Sequence, residues 1–340
     1  MSSTASAASP LRRRPRPKWL RYAFAPLVGL AMLFAKLFPA RWARLLSRGM
    51  NRMLGTFGDY RPREHDVLIC SYFKSGTNWT MQIATQIAYR GRAEFEHIHD
   101  LVPWPDMPAR ARYAVAPTDE TARRSAPTGL RVIKTHLAAG VVPYVPSARY
   151  ICVVRDPKDV FVSSYHFIRA TAVGPLMPPV AAWLDVFLSP DTPLGSWAEH
   201  LASYWRIRDR PNVLFLRYEE MRADLAAAVS QIAELMGVAL TPEERSAVVA
   251  QAQFAHMKRI GHKFDPPGAP WGRAAGSMMR RGQPGGSSEL LSVAEQMRID
   301  DYWQTELERI GCDFPYAELY AISRDPAAPV SASTADAPAT

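Results

Sequence analysis

The stretch Asp66-Val-Leu-Ile-Cys-Ser-Tyr-Phe-Lys74-Ser75-Gly76-Thr77-Asn78-Trp79 decides the fold. Val67–Ser71 is a short apolar run bounded by polar residues, the pattern of a buried strand. A tight turn with a single glycine follows, and a helix is expected from about Thr77. The free N–H groups at such a helix start, aided by the helix dipole, make an anion site. Lys74 adds a positive charge, and Ser75, Thr77 and Asn78 add donors. These residues read as a phosphate cradle, although an ordinary strand-to-helix turn with polar capping residues has the same look when taken alone. The order differs from a Walker A loop, in which lysine follows the last glycine; here it precedes it.

Working outward, Arg131–Lys134, Tyr150–Val154 and Val213–Leu216 read as further buried strands. Helical stretches are expected over Thr77–Arg90, Lys158–Arg169, Glu219–Met236 and about Val293–Ile310. Strands alternating with helices imply an α/β domain, a central, mainly parallel sheet with helices on both faces. The Pro- and Gly-rich connections Val102–Pro117, Thr171–Pro193 and Lys263–Ser288 are long for plain turns and read as lids or substrate loops.

Charge divides the 340-residue chain. Residues 1–63 hold 13 of the 41 basic residues and only one acid, Asp59, a net of +12, which leaves the remainder at −3. A near-neutral domain behind a basic arm argues against a nucleic-acid binder. Hydrophobic content of 48% excludes global disorder. Three cysteines, Cys70, Cys152 and Cys312, build neither a disulfide framework nor a zinc site, and a reducing cytoplasm suits them.

Four segments of organisation follow. Residues 1–18 read as a disordered basic arm and 323–340 as a disordered tail; 19–60 reads as an apolar, then basic amphipathic, helical segment; 64–320 reads as the folded α/β domain. Within the second segment Tyr22–Phe38 is short for a membrane span and carries Lys36. Pro39–Leu54 has Trp42, Leu45, Leu46, Gly49 and Met53 on one side and Arg41, Arg44, Arg48 and Arg52 on the other. Association with a membrane surface, packing on the domain, a span and a cleaved signal all remain open on these residues.

Three more constellations carry chemistry. In Arg131-Val-Ile-Lys134-Thr135-His136, Lys134 and His136 lie two residues apart on an extended chain and reach one pocket together; histidine is a competent base near neutral pH. In Tyr150-Ile-Cys-Val-Val-Arg155-Asp156-Pro157-Lys158-Asp159-Val-Phe-Val-Ser163-Ser-Tyr-His-Phe, Arg155 ends a strand and Ser163 sits two turns into the next helix, so guanidinium and hydroxyl can share one anion. In Ser277-Met-Met-Arg280-Arg281-Gly282-Gln-Pro-Gly285-Gly286, two arginines beside flexible glycine can wrap a phosphate. Each has a plain structural alternative in isolation. No acidic pair with metal spacing lies near the cradle.

Taken in order, FKSGTNW, KTH, RDPKDVFVSSYHF and RRGxxGG resemble the PAPS-dependent sulfotransferases of the cytosolic type, over about Asp66–Cys312. The resemblance implies a P-loop-like three-layer sandwich. It implies transfer of a sulfuryl group from 3′-phosphoadenosine 5′-phosphosulfate (PAPS), without a metal, to a hydroxyl or amine of a small acceptor. Lys74, Ser75, Gly76, Thr77, Asn78 and Trp79 match the loop that holds the 5′-phosphosulfate, with Trp79 against the adenine. Arg155 and Ser163 match the 3′-phosphate site, closed over by Arg280, Arg281 and Gly282; Tyr218, Phe254 and Met257 match nucleotide contacts. His136 matches the base, with Lys74 and Lys134 meeting the developing charge. Phe73, Trp104, His166 and Phe167 are expected to line a hydrophobic acceptor pocket. The sequence departs from the family at Phe73 (commonly Pro), Asn78 (commonly Thr), Ala252–Gln253 (commonly Thr-Ser) and Ser287 (often Trp). The expected setting is the cytoplasm, with membrane contact, if any, through residues 19–60 at the cytoplasmic face. The alternatives are a P-loop nucleotide kinase, which lacks its Gly-Lys-Ser/Thr order here, and an inactive membrane- or nucleic-acid-binding relative, against which the full complement of Lys74, Lys134, His136, Arg155 and Ser163 argues.

Overall fold

The computed structural model describes residues 25–107, 114–266 and 285–323. The arm 1–18, the tail 324–340, and Arg280, Arg281 and Gly282 lie outside the described residues.

Four strands, β1 (Asp66–Ser71), β2 (Arg131–Thr135), β3 (Arg149–Val154) and β4 (Val213–Arg217), form one sheet in the order β2-β1-β3-β4, every pairing parallel. All six residues of β1 and all five of β2 are buried, which is why they appear as uninterrupted apolar runs rather than alternating ones. Alternation decides the face instead. Val67 and Ile69 pack with Ile151, Val153 and the helices Thr77–Ala88, Leu225–Met236 and Pro242–Ala252. Leu68 and Cys70 turn the other way, to Tyr150, Cys152 and Tyr204 of the helix Trp197–Trp205. Two covered faces make the three-layer sandwich. The one charged residue at the start of β1, Asp66, is fully buried, pairs with Arg131 at 2.8 Å and accepts from Arg63 N–H.

The chain passes from β1 to β2 on one side and then to β3 on the other. The switch point lies between the carboxyl ends of β1 and β3, where open α/β sheets bind ligands. The cradle follows β1, His136 follows β2, and Arg155 follows β3.

Two expectations need correcting. The stretch Glu219–Met236 is not one helix but two, Tyr218–Ala223 and Leu225–Met236. Asp224 leaves the helical conformation between them and accepts from Ala227 N–H, and an N-cap aspartate restarts a helix readily. The connection Thr171–Pro193 contains the helix Val180–Phe187, whose Trp183, Leu184 and Phe187 are buried.

The N-terminal segment forms two helices, Ala25–Leu37 and Pro39–Asn51. No helix among the described residues is long and apolar enough to cross a membrane. The second helix docks on the domain by only part of its apolar side. Ala43 and Ser47 are buried and Trp42, Leu46 and Met50 partly so, while Leu45 and Met53 are 55% and 59% exposed. The surface opposite offers polar backbone beside apolar side chains. Trp42 Nε1 donates to Leu176 O, Ser47 Oγ to Asp191 O and Asn51 Nδ2 to Thr192 O, and Leu194 N–H donates to Asn51 Oδ1. Arg48, expected on the free face, makes a two-pronged pair with Asp191.

Candidate active site

The cradle is a constrained turn. Lys74 (φ +65°) and Gly76 (φ +95°) both take the left-handed conformation. At Gly76 a Cβ would stand 2.8 Å from Tyr218 Cδ2, so only glycine fits against that ring. Ser75 N–H donates to Tyr72 O, and Ser71 Oγ and Thr77 Oγ1 are bonded at 2.7 Å. The Ser75 side chain is buried, and its Oγ has no hydrogen-bond partner among the described residues. Trp79 is fixed by donating Nε1 to Ala252 O at 2.7 Å, and its ring meets Tyr218 edge-on at 5.6 Å.

Arg155 reaches the same turn. Its Nη1 donates to Lys74 O at 3.3 Å, its Nη2 to Asp159 Oδ2 at 3.1 Å, and its guanidinium lies 4.5 Å from the Tyr218 ring centroid. Its Nε is buried and unpartnered among the described residues. Asp159 Oδ2 also accepts from Gly285 N–H at 3.1 Å, which ties the helix Pro157–Ile168 to the chain just beyond Arg281. Ser163 lies half-buried on that helix. Its neighbour Lys158 points away from the site, buried with Asp300 and Asp156. Phe254 is half-buried and Met257 buried at the short helix Phe254–Arg259, next to the carbonyl that holds Trp79.

At the end of β2, Lys134 is buried with its Nζ 3.3 Å from the Trp104 ring centroid. Burial pushes its pKa down to about 7, Lys74 pushes the same way, and Asp106 opposes them. His136 is buried too. Its Nδ1 lies 2.8 Å from Ser71 O, so that nitrogen carries the proton and donates it, which leaves Nε2 with its lone pair. Burial first, then the Lys134 charge, hold its pKa well below the usual 6.5. Asp106, which the sequence did not single out, accepts from the His136 backbone N–H at 2.9 Å and is itself wholly buried.

Aromatic rings enclose this corner. Phe73 and Trp104 meet the imidazole edge-on at 5.9 and 5.5 Å, Phe167 meets Phe73 at 5.3 Å, and Lys74 Nζ lies 4.2 Å from the Phe167 ring centroid. His166 is not part of the ring cluster. As the neighbour of Phe167 on a helix it points elsewhere, and its Nε2 sits 3.1 Å from Glu289 Oε1. Among the described residues no group of three or more His, Cys, Asp or Glu stands close enough to hold a metal ion.

A cradle at a helix start, an arginine and two lysines converging on it, and a neutral histidine beside an apolar chamber define a transferase for an anionic group carried on a nucleotide. The two orphaned buried donors, Ser75 Oγ and Arg155 Nε, fit phosphate oxygens. The chain belongs to the sulfotransferase family: the sequence model of the sulfotransferase domain matches residues 64–311. It is 27% identical over 273 residues to sulfotransferase 1C2 of Oryctolagus cuniculus, covering 76% of this chain and 89% of that one. It is also 27% identical over 291 residues to the amine sulfotransferase of Oryctolagus cuniculus, covering 80% and 89%. Its structure is similar to mouse sulfotransferase SULT7A1 complexed with PAP, with a TM-score of 0.58, 25% identity and 77% and 89% coverage. The fold is shared with retinol dehydratase in complex with androsterone and inactive cofactor PAP, at a TM-score of 0.60 and 20% identity over 80% and 86% of the two chains. The protein is therefore an enzyme that moves a sulfuryl group from PAPS, on the P-loop-like fold of its family.

Proposed function

We propose that the acceptor is a hydroxyl or amine on a small hydrophobic molecule, deprotonated by His136. The observation that carries this is the imidazole itself. It is neutral, buried and fixed by Ser71 O, and its ring meets Phe73 and Trp104 edge-on, with Phe167 against Phe73. A charged or polyhydroxylated acceptor would leave its own polar groups unpaired against such walls.

PAPS supplies, when bound, an activated sulfuryl group on a phosphate leaving group. Thr77, Asn78, the Ser75 hydroxyl and the Gly76 N–H would hold its 5′ end, and Lys74 would meet the charge that builds on the leaving phosphate. Arg155 and Ser163, with Arg280, Arg281 and Gly282, hold the 3′-phosphate. Trp79, Tyr218, Phe254 and Met257 bind the nucleoside. Lys134 is only partly protonated in the free site at neutral pH, and an arriving anion favours its ammonium form. His136 takes the acceptor proton on Nε2 as attack begins. We also propose a cytoplasmic setting with peripheral membrane contact through residues 19–60, on the strength of their basic and apolar surface.

Labelled PAPS incubated with a lipid and metabolite extract tests the acceptor reading. Mass analysis is expected to find sulfated hydrophobic alcohols, phenols or amines. Label confined to polysaccharide would overturn it.

A further inference from the structure

Eight of the ten large apolar side chains exposed among the described residues lie between positions 30 and 53: Leu30, Met32, Leu33, Phe34, Leu37, Phe38, Leu45 and Met53. Leu30, Leu33 and Leu37 are 66%, 53% and 61% exposed and recur at helical spacing, so they form one face. The inner side of the same helical pair is held to the domain by hydrogen bonds to the turn Asp191–Leu194. The outer face is therefore presented by a docked platform.

Charge selects its occupant. Residues 25–58 contain Lys36, Arg41, Arg44, Arg48 and Arg52 and no acidic residue, and the preceding chain adds Arg12, Arg13, Arg14, Arg16, Lys18 and Arg21. A second copy would bring the same cations face to face. An apolar face rimmed by lysine and arginine complements an anionic lipid surface, with apolar groups entering the acyl boundary and cations meeting the headgroups.

The platform also adjoins the reaction chamber. Ala31, Trp42 and Leu46 pack against the same apolar cluster as Phe167 and Phe73, and Phe73 meets the His136 ring. Tyr72, next to Phe73, donates its hydroxyl to Pro193 O and Gly195 O, on the segment to which the platform is bonded.

We infer that residues 25–53 dock the enzyme on an anionic bilayer and that the acceptor is a hydroxyl-bearing lipid taken up from it. The inference rests on the hydrophobic-acceptor reading and on the membrane contact proposed above. In the transfer the lipid oxygen gains the bond to sulfur. The bond from sulfur to the phosphate oxygen breaks, with its electron pair left on phosphate, and the hydroxyl proton passes to His136 Nε2.

The test uses the full chain, vesicles of phosphatidylcholine and phosphatidylglycerol in equal parts, hexadecanol in those vesicles, and naphthol as a water-soluble acceptor. The wild type is expected to sediment with these vesicles, less with pure phosphatidylcholine, and to be released by salt. The triple substitution Leu30→Glu, Leu33→Glu, Leu37→Glu alters only exposed positions. It is expected to lower hexadecanol sulfation by about tenfold or more while naphthol sulfation stays within about twofold. Absence of sedimentation, equal losses on both acceptors, an unchanged hexadecanol rate, or a dimer that the triple substitution dissolves would each overturn the inference. Transfer to naphthol but never to hexadecanol refutes the inference alone. Transfer to neither refutes the hydrophobic-acceptor reading along with it.

Discussion

Replacing Gly76 by alanine probes the cradle at its tightest point. Alanine at φ +95° enters the left-handed region, which costs an L-residue about 1–2 kcal/mol. Its Cβ would lie 2.8 Å from Tyr218 Cδ2 and 3.4 Å from Cε2, where carbon atoms prefer about 3.5–4.0 Å. The Tyr218 ring has no easy retreat, because the Arg155 guanidinium lies 4.5 Å from its centroid and Trp79 meets it at 5.6 Å. Overpacking of this kind adds about 1–3 kcal/mol, giving a loss of about 2–5 kcal/mol. At about 2–4 °C per kcal/mol for a domain of this size, the midpoint of thermal unfolding falls by at least about 4 °C. Moving the ring also moves Arg155, so KM for PAPS rises. Tyr218→Ala on top of Gly76→Ala removes the clash but not the backbone strain, so a double-mutant cycle should return a coupling of about 1–3 kcal/mol. Urea melts and PAPS titrations of the four proteins measure both quantities. Gly76→Ala within about 0.5 kcal/mol of wild type, with unchanged KM, would refute the argument.

Three further predictions rest on the same geometry. His136→Ala should lower kcat by about 10²–10⁴-fold with little effect on KM for PAPS, read by steady-state kinetics; a wild-type kcat would remove it as the base. In kcat/KM the acid limb should lie below pH 6.5, because His136 stays neutral through the neutral range. The alkaline limb should begin near pH 7, where the Lys134 ammonium is lost as pH rises, and Lys134→Arg should move that limb upward while leaving the acid limb in place. Asp159→Asn keeps an acceptor for Gly285 N–H but removes the charge facing Arg155. Calorimetry should show tighter binding of 3′,5′-bisphosphoadenosine, and weaker binding would show that the carboxylate acts by orienting the arginine.

The four strands were legible to within a residue at each end, because burial on both faces leaves unbroken apolar runs such as Val-Leu-Ile-Cys and Tyr-Ile-Cys-Val-Val. That Lys74, Lys134, His136 and Arg155 lie near one another was legible as well, since each stands within three residues of the carboxyl end of a strand and the parallel sheet carries those ends to one edge. Asp106 was not, because it comes from a connection whose approach to His136 is set by tertiary contact, Lys134 N–H to Pro103 O among them. His166 misled because adjacent helical residues point about 100° apart, so it does not share the direction of Phe167. The buried side of Pro39–Asn51 misled for a different reason. Trp42, Leu46 and Met50 do pack on an apolar cluster, but Ser47 and Asn51 on the same side bond the carbonyls of Asp191 and Thr192, and Leu45 and Met53 are left outside. The helix Pro242–Ala252 carried a readable signal, Thr241 and Glu244 in a reciprocal cap with proline at the first position, that the hydrophobic pattern overshadowed.

The carboxylate of Asp159 gives Arg155 a partner before any nucleotide arrives. On the proposed assignment of Arg155 to the 3′-phosphate, an entering phosphate would meet the open Nε and compete with Asp159 for Nη2, so part of its gain would be the difference between two similar contacts. The same competition would run backward after transfer. As the spent nucleotide left, the arginine would keep its partner on its own helix rather than pass through a bare buried charge. An enzyme whose donor and product share the same adenosine 3′-phosphate cannot grip one without gripping the other, and a built-in competitor for the arginine is a direct way to keep turnover from stalling on product.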